Sequence, residues 1–276
     1  MARVLIAGCG DIGCRLGINL TNKGHEVFGI RRDASKISEP IHPIEADLFG
    51  QLPQLPDQID YVFYIVSAKS YNDLAYFKAY VMGLNHLIEA LKGQPIKRLF
   101  FISSSSVFSQ SDGERVTEES PAEGKNFSSR RLLEGEELAL NAPFPSTVIR
   151  FGGIYGPGRT YLIDLVSQGK AHCMEDVYSN RIHSEDCVGL LEHLMEQPDL
   201  EPIYIGVDDE PTFTCEVYEW LAEQLSVSNI EHIEPTENSR AQRSNKRLSN
   251  AKVKATGYTF KYPSYREGYL ELLESM

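Results

Sequence analysis

The stretch AGCGDIGCRLG, residues 7–17, follows directly on the apolar run RVLIAG (3–8) and opens a helical pattern, IGCRLGINLTNKG (12–24), that Gly24 ends. Its glycines have the spacing G-x-G-x-x-G, at Gly8, Gly10 and Gly13. That spacing says little alone and much more at the junction of a buried strand and a helix. Gly8 permits a tight turn, Gly10 lets the backbone approach a pyrophosphate, and Gly13 lets helix and strand pack closely. The N–H groups at the start of the helix, around Asp11 and Ile12, then face a phosphate along the helix dipole. The plain alternative is a βα turn with no ligand. Position, spacing and the next strand favour a dinucleotide site.

Outward from the turn, strand-length apolar runs alternate with helical patterns. EVFGIRR (26–32) is a second strand, a short one lies near PIEAD (43–47), and YVFYIVSA (61–68) is a fourth. A long helical stretch spans about 72–92, with Leu84, Leu87, Ile88 and Leu91 at helical spacing. RLFFISSSS (98–106) is a strand, LLEGEELAL (132–140) a helix and STVIRFGG (146–153) a strand. This alternation predicts βαβ units and a Rossmann-type, doubly wound parallel sheet in residues 1–158. Residues 159–276 read as a smaller C-terminal α/β substrate domain. Segments at about 180–210 return to the first domain, among them the short strand PIYIGV (202–207). Helical pieces fall near 160–168, 185–197 and 214–225, and EPTENSRAQRSNKRLSN (234–250) reads as a surface loop.

The end of the second strand bears on the cofactor. A carboxylate there hydrogen-bonds the ribose 2′-OH of NAD, whereas arginine pairs with the 2′-phosphate of NADP. Arg31 and Arg32 therefore favour NADP, with NAD kept open by Asp33 next to them. The bland reading leaves both arginines solvated. Asp47 and Leu48, after the third strand, are placed to contact the adenine, unless Asp47 is only a turn residue.

Composition narrows the classes. A formal net charge of −12 over 276 residues argues against a nucleic-acid partner. ARVLIAG is too short for a secretory h-region and runs straight into glycines, and no apolar run approaches membrane-spanning length. Five scattered cysteines, Cys9, Cys14, Cys173, Cys187 and Cys215, show neither CxxC spacing nor a disulfide framework. Mostly reduced thiols in a cytoplasmic protein are expected. The seven histidines lack metal-ligand spacing, so no metal is expected, and no serine sits in G-x-S-x-G.

The glycine turn, SSSSVF (103–108), IRFGGIYGPGR (149–159), RIHSEDC (181–187) and YIGVDDEP (204–211) occur in this order. Together with the closing NKRLSNAKVKATGYTFKYPSYREGY, they resemble the extended, atypical short-chain dehydrogenase/reductase family of epimerase/dehydratase type, over nearly the whole chain. The resemblance implies an NAD(P)-dependent oxidoreductase or epimerase/dehydratase acting on a small carbonyl or sugar-type substrate. It implies three catalytic side chains: a Ser or Thr on the substrate oxygen, a Tyr that moves the proton, and a Lys that lowers the Tyr pKa and holds the nicotinamide ribose. Ser104, three residues before Val107, matches the first. Phe127 and Arg131 stand at the Tyr and Lys positions, with Glu134 one turn on. Phenylalanine transfers no proton. Arg131 keeps a charge for the ribose or a phosphate but is not a lysine in geometry or acidity. Tyr80 replaces a customary Asn, and Val66–Ser67 a customary small pair.

The resemblance therefore carries the cofactor site across and leaves the proton donor open. Tyr155, Tyr64, Tyr71 and His183 are the alternatives, with structural roles the commoner reading for Tyr155, His183 and Asp186. Ser104, Tyr155 and Arg181 are the substrate candidates, Arg181 equally readable as a surface arginine. A displaced donor implies an enzyme; none implies a non-catalytic NADP(H)-binding sensor or regulator. Relatives often dimerise through the helix of the Tyr–Lys pair and its neighbour. Here the stretch 72–92, with Tyr76, Phe77 and Tyr80, suits a homodimer, or those aromatics are core.

Overall fold

In the computed structural model, which describes residues 1–228, 230–234 and 244–276, the chain divides into two compact units. Unit 1 comprises Met1–Val107, Ala122–Arg150 and Val188–Tyr204; unit 2 comprises Phe108–Pro121, Phe151–Cys187 and Ile205–Met276. The sequence reading put one boundary at 158 with a return at about 180–210. The chain leaves unit 1 at Val107, again at Arg150 and again at Tyr204, and re-enters it at Ala122 and at Val188.

The centre of unit 1 is a seven-stranded parallel sheet. Its strands are β1 (Arg3–Ala7), β2 (Glu26–Arg31), β3 (His42–Glu45), β4 (Tyr61–Tyr64), β5 (Arg98–Ser104), β6 (Ser146–Phe151) and β7 (Ile203–Gly206). They lie in the order β7-β6-β5-β4-β1-β2-β3, so the order reverses between β1 and β4, the place where doubly wound sheets bind ligands. Val4, Leu5, Ile6 and Ala7 are all buried, as expected of a strand covered on both faces. One apolar cluster joins Leu5 and Ala7 of β1 to Val62 and Tyr64 of β4, Leu99 and Phe101 of β5, and Leu84, Leu87 and Ile88 of a flanking helix.

The helices of unit 1 begin with α1 (Asp11–Asn22). The stretch predicted as one helix over 72–92 has three parts: α2 (Asp73–Tyr76), a π-helical segment (Phe77–Met82) and α3 (Gly83–Ala90). Asn72 caps α2 by accepting the Ala75 N–H at 2.9 Å. The wide turns have a visible partner: the fully buried Tyr64 hydroxyl donates to the Ala79 carbonyl at 2.6 Å. A side chain bonded into the backbone ladder is a recognised cause of such a distortion. α4 (Phe127–Leu140) starts five residues before the predicted position. Asn126 accepts the Ser129 N–H at 2.9 Å, and the Ser129 hydroxyl accepts the Asn126 N–H at 3.3 Å. The cap is thus reciprocal, with serine where a sequence search looks for Glu or Gln.

Unit 2 is built from α5 (Tyr161–Ser167), the start of α6 (Ser184–Glu196), α7 (Thr214–Gln224), α8 (Ala251–Ala255), α9 (Tyr265–Glu274) and short strand pairs. Its core gathers Tyr155, Ile163, Val166, Val217, Leu221, Tyr265, Tyr269 and Leu272. Within the segment read as a loop over 234–250, residues 235–243 lie outside the described residues, while Arg247–Leu248 pairs in parallel with Arg115–Val116. The thiol expectation needs a correction. Cys173 and Cys215 are joined as a disulfide, because the strand at His172–Cys173 and the first turn of α7 bring their Cα atoms to 4.9 Å. Cys9, Cys14 and Cys187 stand outside it.

Candidate functional site

The glycine turn closes β1 onto α1 as its sequence demands. The Gly8 and Cys9 N–H groups both donate to the Ile30 carbonyl of β2, at 3.2 and 3.0 Å, and the Gly10 N–H donates to the Gly8 carbonyl at 2.7 Å. Gly8 has a φ of +90°, and a side chain on it would collide with the Ile65 carbonyl. A Cβ on Gly13 would stand 2.8 Å from the Gly8 carbonyl oxygen. A Cβ on Gly10 would meet only that oxygen, at 3.9 Å, so the cradle is open at this residue. Gly10 is also the N-cap of α1 and has no side chain to cap it. The helix start therefore offers N–H groups from Asp11, Ile12 and Gly13, the donor set a pyrophosphate needs. Asp11, the one acid in that first turn, is ion-paired with Arg15 at 3.1 Å. These residues fit a dinucleotide.

Arg31 and Arg32 part company at the end of β2. Arg31 folds back onto the glycine turn, where one Nη donates to the carbonyls of Lys36 at 3.0 Å and Cys9 at 3.3 Å. Arg32 is exposed. The Ser35 hydroxyl, and after it Lys36 at 2.9 Å, hold Asp33 and keep its carboxyl below the usual range. Asp47 accepts the Phe49 N–H at 3.0 Å, a turn contact, while Leu48 is buried in the core.

Along β5, adjacent serines face different neighbours. Ser103 is buried and donates to Glu136 at 2.5 Å; Glu136 in turn holds Arg150 at 2.6 Å. Ser104 is half-buried, and its Oγ accepts the Ser106 N–H at 3.2 Å. Phe127 opens α4 inside an aromatic group: its ring centroid is 4.8 Å from Tyr71 and 5.6 Å from Tyr76. The Tyr71 hydroxyl lies 3.5 Å from Ser128 Oγ, and the residue is 70% exposed. Tyr71 is thus the alternative tyrosine that the fold brings to the Phe127 ring, whereas the Tyr64 hydroxyl is spent on the Ala79 carbonyl. Arg131 makes a fork to Asp73, at 2.8 and 2.9 Å, and a further bond to Glu134 at 2.8 Å.

The other predicted residues belong to unit 2. Tyr155 is buried, stacks on Tyr269 at 4.4 Å and lies edge-on to His183 at 5.1 Å; burial pushes its phenol up. Its environment is that of a core residue. Arg181 is not a surface arginine: it is 4% exposed, bonded to Ser179 and stacked over Tyr265. Asp208, also buried, has its carboxyl pushed well up by burial against the opposing pull of Arg181. Asp186 clamps the C-terminal segment, accepting from the Tyr258 hydroxyl at 2.9 Å and the N–H groups of Lys261 and Tyr262 at 2.8 and 2.9 Å. Cys173, Glu219 and His232 cluster, but the Cys173 sulfur is already in the disulfide.

Residues 4–202 match the NAD dependent epimerase/dehydratase family. The chain belongs to that family. A Methylobacillus flagellatus structure, provisionally described as an NAD-dependent epimerase/dehydratase, is 32% identical with a TM-score of 0.81, over 100% of this chain and 98% of that one. Protein YeeZ of Escherichia coli K12 is 25% identical over 216 residues, 74% of this chain and 77% of its own. A 3-diazoavenalumate denitrifying reductase of a Streptomyces species is 27% identical over 238 residues, 76% of this chain and 77% of its own. The family model stops at residue 202 and so leaves most of unit 2 unmatched. Among the described residues no helix is long and apolar enough to cross a membrane.

Proposed function

We propose that this chain is an NAD(P)(H)-dependent oxidoreductase or epimerase/dehydratase that prefers NADP(H) and acts on a small carbonyl or sugar-type substrate. The observation that carries the reading is the uncapped start of α1 behind the glycine turn, open at Gly10 and closed to side chains at Gly8 and Gly13. Gly8, Gly10, Asp11, Ile12 and Gly13 hold the pyrophosphate. Arg32 takes the 2′-phosphate, Arg31 braces the turn from behind, and Asp47 borders the adenine, with Leu48 withdrawn into the core. When bound, the cofactor supplies or accepts a hydride. Ser104 hydrogen-bonds the substrate oxygen, and Arg131 adds positive charge on the ribose side. The reductase name of the Streptomyces relative supports a reductive direction. A cytoplasmic setting rests on the absence of a signal-like segment, and a homodimer on the family resemblance alone.

One observation favours a second reading. Phe127 has no proton to give, and Arg131 is held by Asp73 and Glu134. That arrangement suits a protein that binds NADP(H) as a sensor without turning it over. Fluorescence titration with NADPH and NADH tests the shared part, and binding of NADPH alone is the expected result. If neither nucleotide bound at micromolar concentration, both readings would fall. A screen of carbonyl substrates with bound NADPH separates them, since any hydride transfer removes the sensor.

A further inference from the structure

The glycine turn holds two thiols that nucleotide binding does not use. Cys9 sits between Gly8 and Gly10, and Cys14 lies in the first turn of α1. Their Sγ atoms are 3.2 Å apart, and Cys14 Sγ also lies 3.3 Å from the Cys9 carbonyl oxygen. Cys9 is fully buried, while Cys14 is half-buried. The guanidinium of Arg31 is fixed beside the pair through its bond to the Cys9 carbonyl. A partly exposed thiol at a helix start, next to a cation, is the setting that favours a thiolate. The Cys14 thiol is accordingly lowered to about 6, first by the hydrogen bond with Cys9, with burial opposing and the Ser38 backbone and Arg31 adding to it. Cys9 moves the other way, through that same bond and its burial.

We infer that Cys9 and Cys14 form a redox-active dithiol, a modification site for hydroperoxides, whose oxidation to an internal disulfide locks the glycine turn. The Cys14 thiolate attacks one peroxide oxygen. An S–O bond forms, the O–O bond breaks, and the departing hydroxide takes up a proton as water. Cys9 then loses its proton as its sulfur attacks the Cys14 sulfur. The S–S bond forms, the S–O bond breaks, and the second oxygen leaves as water. Two thiols are oxidised and one hydrogen peroxide is reduced to two waters. The sulfurs must close from 3.2 Å to about 2.05 Å, a movement of roughly one ångström. The link ties the residue between Gly8 and Gly10 to the helix start, across the N–H groups of Asp11, Ile12 and Gly13. Weaker nucleotide binding by the linked form rests on the function proposed above.

Arg3 and Arg15 flank the pair, so trypsin releases Val4–Arg15 with both cysteines. The full-length protein, reduced and freed of reductant, is treated with equimolar hydrogen peroxide, alkylated with iodoacetamide and mapped by mass spectrometry. The expected result is a Val4–Arg15 peptide lighter by two hydrogens, unalkylated until dithiothreitol is added. Cys9→Ser should instead leave a sulfenic acid on Cys14 that dimedone traps. Alkylation of both cysteines after peroxide, or a sulfinic acid on Cys14 with no link to Cys9, overturns the dithiol. NADPH titration of the linked and reduced forms tests the lock, with Kd expected to rise about tenfold or more on linking. Equal Kd values overturn the lock. A linked peptide in a protein whose reduced form binds no NADPH sinks the proposed function and leaves the dithiol standing.

Discussion

Glu136 of α4 and Arg150 of β6 meet at 2.6 Å with only 3% and 4% of each residue exposed. The Arg150 Nε donates to both Glu136 oxygens as well, at 3.0 and 3.2 Å, and Ser103 donates to one of them. Removing one partner strands the other in the core, so Glu136→Ala should cost about 3–5 kcal/mol. Glu136→Leu combined with Arg150→Met should recover most of that loss, because the pair's desolvation cost disappears with it. Urea unfolding of the two variants checks this; a double variant as unstable as Glu136→Ala would show that the pair itself contributes net stability.

The turn separates packing from binding. Gly13→Ala pushes a methyl against the Gly8 carbonyl at 2.8 Å and Ile6 at 3.1 Å, and should cost about 1–3 kcal/mol. Gly10→Ala meets nothing closer than 3.9 Å and should leave unfolding within about 0.5 kcal/mol of wild type. Its methyl occupies the approach of the pyrophosphate, so NADPH binding should weaken about tenfold or more. Parallel denaturation and titration of both variants read this out. Unchanged binding by a folded Gly10→Ala protein would place the phosphates elsewhere.

The two arginines after β2 make opposite predictions. Arg32→Ala removes a charge-assisted contact to the 2′-phosphate worth about 1.5–3 kcal/mol, roughly tenfold to a hundredfold in NADPH affinity, and should leave NADH alone. Arg31→Ala removes the brace on the Cys9 and Lys36 carbonyls and should weaken both nucleotides together. Titrating each variant with each nucleotide gives four numbers, and equal losses for Arg32→Ala would assign that residue to something other than the 2′-phosphate.

Lys246 is buried with its ammonium on the Phe108 carbonyl at 3.1 Å. Burial lowers it from 10.5 to about 8, with Glu114 pulling the other way. Between about 8 and 10.5 the unfolded chain binds the proton that the folded chain has released, so this residue makes stability rise with pH across that window. Below about 8 both states are protonated and the cost of the buried cation is constant. Lys246→Met should therefore lack the rise. Urea midpoints for both proteins at either end of the window measure the difference, and parallel pH curves would show that the amine is solvated.

The sequence located the inner strands of the parallel sheet because strands buried on both faces are continuous apolar runs, the exposed edge strand β3 (His42–Glu45) was placed by its position between turns, and the glycine turn was legible because its chemistry is backbone chemistry. Other features were not legible, for identifiable reasons. The strand read over 61–68 stops at Tyr64, since apolar character continues past the last ladder bond. The π-helical turn depends on where one tyrosine hydroxyl ends. The start of α4 was missed because serine serves in its cap. The Cys9–Cys14 contact is made by the path of the turn, and no spacing rule for dithiols covers a gap of five. Burial of Arg181 was equally hidden, because periodicity assigns charged residues to the surface unless a partner can be named.

Because the chain passes back and forth between its units, neither is written as one continuous piece of sequence. Unit 1 needs three separated segments, and so does unit 2. A chain ending at Arg150 would lack Val188–Tyr204 and with it the start of the edge strand β7, so no single cut yields unit 1 alone. Neither unit can be exchanged between relatives by trading tails. A chimaera that keeps unit 2 whole must carry Phe108–Pro121, Phe151–Cys187 and Ile205–Met276 together, so gradual substitution in place, and not modular shuffling, is the accessible route to change.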